Sequence, residues 1–186
     1  GTDCSVGKMY TALAMEKAMH ELGMKATFRA TGQTGILITG SGVPLDAVVA
    51  DFMAGSIEWL TPHNDDDHWD LIEGQGSLFH PSFSGVTMAL IHGGRPDALV
   101  LCHEPTRTHM RGLPHYQLPT LEALRDLSLE TARIVNPDVR IIGISINTFA
   151  MGEDEANAYL ADVEARMGLP AVDPYRHGAR RLAEAL

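Results

Sequence analysis

The chain has 186 residues, 45% of them apolar and 20% charged, with 14 Lys and Arg against 24 Asp and Glu, a net charge of −10. That composition suits one globular domain with a real core and excludes a disordered chain, and the acidity excludes an electrostatic binder of nucleic acid or of an anionic membrane. No apolar run approaches the roughly 20 residues of a bilayer span, and two cysteines, Cys4 and Cys102, cannot build a disulfide scaffold, so a reducing, cytoplasmic setting fits.

In chain order, a glycine-rich loop opens the sequence. Leu13, Met15, Ala18, Met19 and Leu22 then predict a helix over residues 8–22 that stops at Gly23. Residues 25–30 read as a strand, 31–35 as a turn, and 36–39 as a further short apolar run closed by Gly40, Ser41 and Gly42. Asp46 stands where an N-cap belongs, ahead of a helical pattern over 47–60. A polar loop at 63–68 leads to a strand at 69–73, and 83–92 predicts a helix. Residues 98–102 form a strand apolar enough for burial on both faces, and 103–119 read as a long loop. A helix over 121–135, a strand over 139–146 and helices over 153–167 and 176–186 complete the pattern.

Strands separated by helices imply parallel βαβ crossovers. The fold class is therefore α/β: a doubly wound, mostly parallel, three-layered sheet with helices on both faces, in one domain over residues 1–186. Ligands of such sheets bind beyond the carboxyl ends of the strands. That rule singles out 31–35, 73–77, 103–111 and 147–148.

The most informative motif is Gly1, Thr2, Asp3, Cys4, Ser5, Val6, Gly7 and Lys8, a phosphate loop with one residue more between its glycines than the common form, which makes the expected α/β fold P-loop NTPase-like. Small residues let successive N–H groups face an anion, a helix start adds its positive end, and Lys8 supplies a full charge. Where this motif carries a Mg²⁺-binding hydroxyl, the chain has Met9. The loop thus suits a diphosphate-containing cofactor such as coenzyme A, with ATP and Mg as the alternative; no metal site is expected. Cys4 beside Lys8 at a helix start is expected to have a lowered thiol pKa, and is read as structural. The polar loop at 63–68, with three aspartates between two histidines, reads as a solvated acidic surface.

Glu73 follows a strand and precedes Gly74 and Gly76, which places a carboxylate beside the loop as a general base, or as a partner that merely pairs with Lys8. His80 and His103 are further candidates for base or donor work. Arg107 and Arg111, with Arg29 and Gln33, are candidates to hold substrate carboxylates, and Asn147 to read a nucleobase.

The runs GTDCSVGK and DLIEGQGS resemble dethiobiotin synthetase and related P-loop ligases, with Arg29 in place of a lysine of that group. A fuller resemblance spans nearly the whole chain. The runs GTDCSVGKM, EGQGSLFHPSFSGVTMALIHG, PDALVLCHEPTR, IGISINT and GLPAVDPYRHG are similar to the C-terminal domain of the D-glutamate N-acetyltransferase family. The resemblance implies acetyl transfer from acetyl-CoA to the amino group of D-glutamate or a similar acidic amino acid. It also implies a smaller N-terminal domain as partner and Met9 as part of the family pattern; a homo-oligomer is a separate expectation. An ATP-dependent ligase or phosphotransferase is the alternative, and a sensing module without catalysis a third reading. The chain opens at Gly1, inside the loop, so the strand that should lead into it is expected to be missing and the chain to be a fragment.

Overall fold

The computed structural model describes residues 1–186. Five parallel strands form its centre: β1 (Lys25–Arg29), β2 (His68–Ile72), β3 (Ala98–His103), β6 (Arg140–Ile146) and β7 (Ala171–Val172). They pair as two blocks, β1–β2 and β3–β6–β7, and a cavity of about 590 Å³ lies between β2 and β3. Two further strands, β4 (His109–Met110) and β5 (Leu113–Gln117), make an antiparallel hairpin beyond β3.

Helix α1 (Lys8–Glu21) lays Met15, Ala18 and Met19 against Ala26, Ile142 and Val172, and α8 (Arg180–Ala183) closes that core with Leu182. On the other face α5 (Leu121–Arg133) and α6 (Glu153–Met167) bury Leu121, Leu124, Leu160 and Val163 against Leu101, Ile144 and Ile146. Each such side chain contributes about 1.5–3 kcal/mol by leaving water. The β3–β6 register shifts between Leu99 and Val100, which sends Ile142 into the first core while Ile144 and Ile146 fill the second. Both faces are covered, as the apolar β3 and β6 require.

Several elements depart from expectation. The apolar run at 36–39 belongs to a helix, α2 (Gln33–Thr39), capped by the left-handed Gly40. Residues 47–60 do not make one helix. Pro44 and Val49 each start a 3₁₀ turn (Leu45–Ala47 and Ala50–Phe52), and only Met53–Leu60 is α-helical, as α3. Asp46 sits inside the first turn and caps nothing. The long loop after β3 contains the β4–β5 hairpin, and 176–186 divides into α7 (Pro174–His177) and α8. There Gly178, with φ 72°, turns the chain in a conformation side chains resist. The helix read at 83–92 is α4 (Ser84–Gly94), and it packs on α3 with Gly93 against the Ala54 backbone where no Cβ fits.

Candidate functional site

The loop before α1 is shaped by two left-handed residues, Ser5 (φ 55°) and Gly7 (φ 100°), the second serving as the α1 N-cap. Such alternation turns backbone N–H groups into a concavity suited to an anion. Its inner side is anchored. Val6 is buried, Thr2 donates its N–H to Cys102 O at 2.9 Å, and the Thr2 hydroxyl lies 3.0 Å from His103 Nδ1.

Asp3, wholly buried, is the keystone of the loop. Oδ1 accepts the Cys4 N–H at 2.7 Å, and Oδ2 accepts Arg107 Nη1 and the Arg111 N–H, each at 2.8 Å. Burial alone would raise the Asp3 pKa, but the Arg107 guanidinium and the two N–H groups outweigh it and hold the carboxyl below its usual range.

Arg107 also donates to Cys4 O, Ser5 O and Glu104, so its donors are spent on the loop. Arg111 gives Nη1 to Ser5 Oγ at 2.6 Å and is otherwise exposed, on the rim of the loop and lining neither cavity beside it. Arg29 is held by Asp70 at 2.7 Å and lines neither cavity beside the loop.

Lys8 bridges back to Asp3 O at 2.7 Å, and burial pushes its ammonium below the ordinary lysine range. It does not pair with Glu73. Cys4 departs from expectation as well: burial, with Asp3 beside it, outweighs Lys8 and raises the thiol pKa. A thiol so placed stays protonated, consistent with a structural cysteine.

Cys4, Ser5, Gly7, Lys8 and Met9 line one wall of a cavity of about 640 Å³. Opposite stand Thr31, Gln33, Glu73, Gln75 and Phe83. Glu73 is buried, and its Oε2 accepts the N–H groups of Thr31 (2.9 Å) and Gly32 (3.1 Å). The Thr31 hydroxyl donates to Glu73 O and accepts from Gln75 Nε2 at 3.2 Å. Oε2 fastens the ends of β1 and β2 together, and Oε1 has no protein donor. Gln33 is tethered to Asp46 at 3.2 Å.

On the far side of the loop, Tyr10, Asn147, Phe149 and Tyr175 line a second cavity of about 200 Å³. Asn147 Oδ1 accepts the Phe149 N–H at 3.1 Å, which leaves its amide N–H₂ for a ligand. Asp173 holds this corner by accepting from Thr148 and from the first N–H groups of α7. Tyr10, Phe149 and Tyr175 were not singled out from sequence, because aromatic residues at helix and turn positions look like ordinary core.

The histidines separate. His103 lies under the loop against Thr2, with Tyr159 at 6.4 Å between ring centres, and it lines neither cavity. Burial, with Arg166 and Arg107 near, lowers its pKa to about 4. His80 is buried behind Phe83, and its Nδ1 accepts the Ser82 N–H at 3.1 Å. Nε2 is without a partner. A ring nitrogen of His80 comes within 4.8 Å of the Cys4 sulfur and an Asp3 oxygen. Both Asp3 oxygens already accept hydrogen bonds, and Arg107 adds a positive charge, so the cluster is ill suited to a cation.

Residues 1–183 match the model of a P-loop domain described as a domain of unknown function, the C-terminal domain of DUF1611. The chain belongs to this family. It is 76% identical over 186 residues to a D-glutamate N-acetyltransferase of Tritonibacter scottomollicae, covering all of this chain and 56% of that protein. It is 53% identical over 178 residues to a D-glutamate N-acetyltransferase of Pseudoalteromonas sp., covering 96% of this chain and 54% of that one. The crystal structure of a DUF1611 family protein from Anabaena variabilis superposes with a TM-score of 0.93 at 39% identity, over all of this chain and 55% of that one. The DUF1611 domain described here thus spans about half the length of the curated relatives it matches. No helix in it is long and apolar enough to cross a membrane.

Proposed function

We propose that the domain is the cofactor-binding half of an N-acetyltransferase that moves the acetyl group of acetyl-CoA to the amino group of D-glutamate or a similar acidic amino acid. The observation that carries this reading is the pairing of Lys8 and its anion-shaped loop with the open Glu73 oxygen across one cavity of about 640 Å³. The activity named for the two relatives supports the same reading.

The donor set fits a diphosphate. The N–H groups turned by Ser5 and Gly7, the start of α1 and the Lys8 ammonium converge on one concavity, and its anion needs no bound metal. Met9 has no hydroxyl, and the Thr11 hydroxyl is occupied by Gly7 O and Ser145 Oγ. This arrangement favours coenzyme A over ATP with Mg. The cavity of Tyr10, Asn147, Phe149 and Tyr175 is apt for the adenine ring, with the Asn147 amide as its donor.

When bound, acetyl-CoA supplies an activated acyl group. The protein's tasks are then to hold the amino acid, take a proton from its ammonium, and exclude water. Glu73 Oε1 is the proton acceptor in this reading, its orientation fixed by the Thr31 and Gly32 N–H groups on Oε2. Gln33 and Gln75 line the same cavity as Glu73, and Arg111, outside that lining and held to Ser5 of the loop, is the exposed cation assigned to a substrate carboxylate in this reading. Arg107 and Arg29 act at one remove, by shaping the loop and the end of β1. His80 and His103 are positioning residues for the loop.

A cytoplasmic setting, an additional N-terminal domain and a homo-oligomer belong to this proposal, the first in keeping with two unpaired cysteines and the second with the greater length of the relatives.

The test extends the chain to the length of those relatives and supplies acetyl-CoA and D-glutamate. Release of free thiol that depends on the amino acid is expected. Absence of thiol above background, together with tight Mg-ATP binding and no CoA binding in a calorimeter, overturns the reading.

A further inference from the structure

The cavity of about 640 Å³ beside the phosphate loop is divided in charge. Lys8 is the only cation in its lining, and the wall opposite carries two carboxylates, Asp46 and Glu73. Glu73 is 4% exposed; Oε2 is spent on the Thr31 and Gly32 N–H groups, and Oε1 has no protein donor. Oε1 lies beside Gly32, where a methyl group would stand 3.3 Å from it and 2.5 Å from Gln75 Nε2. The lack of a side chain at that position keeps the space at the oxygen open. A carboxylate oxygen so deeply set and without a donor calls for a hydrogen from a ligand.

Asp46 reaches the same wall through the turn that follows α2. Val43 and Leu45 donate their N–H groups to Ala30 O and Thr31 O, at 3.0 and 3.1 Å, which lays this segment along the end of β1. Leu45 is buried against Ile57, Leu60 and Leu90, so Asp46 is carried on an anchored turn. Asp46 Oδ2 accepts Gln33 Nε2 at 3.2 Å, and Oδ1 has no protein donor. Gln75 adds a third acceptor. The Thr31 hydroxyl gives its proton to Glu73 O, so the Gln75 group facing it is the N–H₂, and Gln75 Oε1 is left over.

Three open acceptor oxygens, two of them anionic, match the three donors of a primary ammonium. We propose that Glu73 Oε1, Asp46 Oδ1 and Gln75 Oε1 form an ammonium site for the amino group of the acyl acceptor, with Asp46 as a further substrate-binding residue. This inference rests on the reading that Glu73 meets that amino group. The same negative wall repels carboxylates, so the acid groups of the substrate are turned toward the rim and away from Asp46.

The test compares D-glutamate with glutarate, the same dicarboxylate without the amino group. Binding is measured by calorimetry on the chain extended to the length of the relatives, saturated with CoA and in EDTA. Charge-assisted hydrogen bonds predict that the wild type prefers D-glutamate by roughly 10- to 100-fold. D46N is expected to lose most of that preference while its glutarate affinity stays within a few-fold, and D46E to recover part of it. Absence of a preference in the wild type, or an unchanged one in D46N, overturns the proposal. Equal loss of both ligands in D46N gives Asp46 a purely structural role and overturns it too. A preference without release of thiol from acetyl-CoA keeps the ammonium site and removes the acetyl-transfer reading. Thiol release without a preference does the reverse.

Discussion

Arg107 Nη1 stands 2.8 Å from Asp3 Oδ2, on a carboxylate with no solvent exposure, and binds the first turn of the phosphate loop to the segment after β3. Removing one partner of a buried pair leaves an uncompensated charge, which costs about 3–5 kcal/mol. R107A is therefore expected to lower stability by about 3 kcal/mol in urea unfolding. The double variant D3N/R107A is expected to recover part of it, because no charge is then left unpaired. Equal stability of the two variants would show that Arg107 acts by packing alone.

Lys8 is the one full cation lining the cavity shared with Glu73. A hydrogen bond to a charged group is worth about 1.5–3 kcal/mol, so K8A is expected to weaken CoA binding by roughly 10- to 100-fold in calorimetry. Because the Lys8 ammonium is desolvated in the free loop, its removal is expected to leave the unfolding midpoint nearly unchanged.

E73Q separates proton transfer from binding. With Thr31 and Gly32 still served by the amide oxygen, turnover is expected to fall about 10²- to 10⁴-fold while CoA affinity stays within a few-fold. A turnover loss under tenfold would assign the proton to another group.

The fold was largely legible where one signal dominates. The continuous apolar runs of β3 and β6 and the helix Glu153–Met167 stand as read, and the coincidence of glycines, lysine and helix start marked the loop. The less legible parts depend on tertiary partners. Residues 36–39 read only as a short apolar run because Gly35 alone of α2 is buried, so the helix shows no apolar stripe of its own. Arg29 and Arg107 read as free cations because Asp70 and Asp3, 41 and 104 positions away, are invisible as partners. Gly35 went unremarked, yet a methyl there would overlap Glu73 Oε2, so its smallness sets the carboxylate's place.

His103 gives the domain a pH signature. Its folded pKa of about 4 lies below the ordinary 6.5, so between these values the unfolded chain binds the proton that the folded one refuses. Its stabilisation is complete above pH 6.5 and is lost as pH falls toward 4, by up to about 3 kcal/mol. Urea unfolding of wild type and H103Q between pH 4 and 7 checks this. The wild-type slope is expected to flatten in the variant, and parallel curves would assign it elsewhere.

Asp3 Oδ2 receives both Arg107 from the segment after β3 and the Arg111 N–H from the turn of the β4–β5 hairpin. A two-stranded hairpin is marginal on its own, so this one borrows rigidity from the phosphate loop. The two therefore share a mechanical fate. Any ligand that stiffens the loop also shields the exposed Arg111–Gly112 bond, and trypsin nicking at that one point becomes a gauge of loop occupancy that needs no turnover.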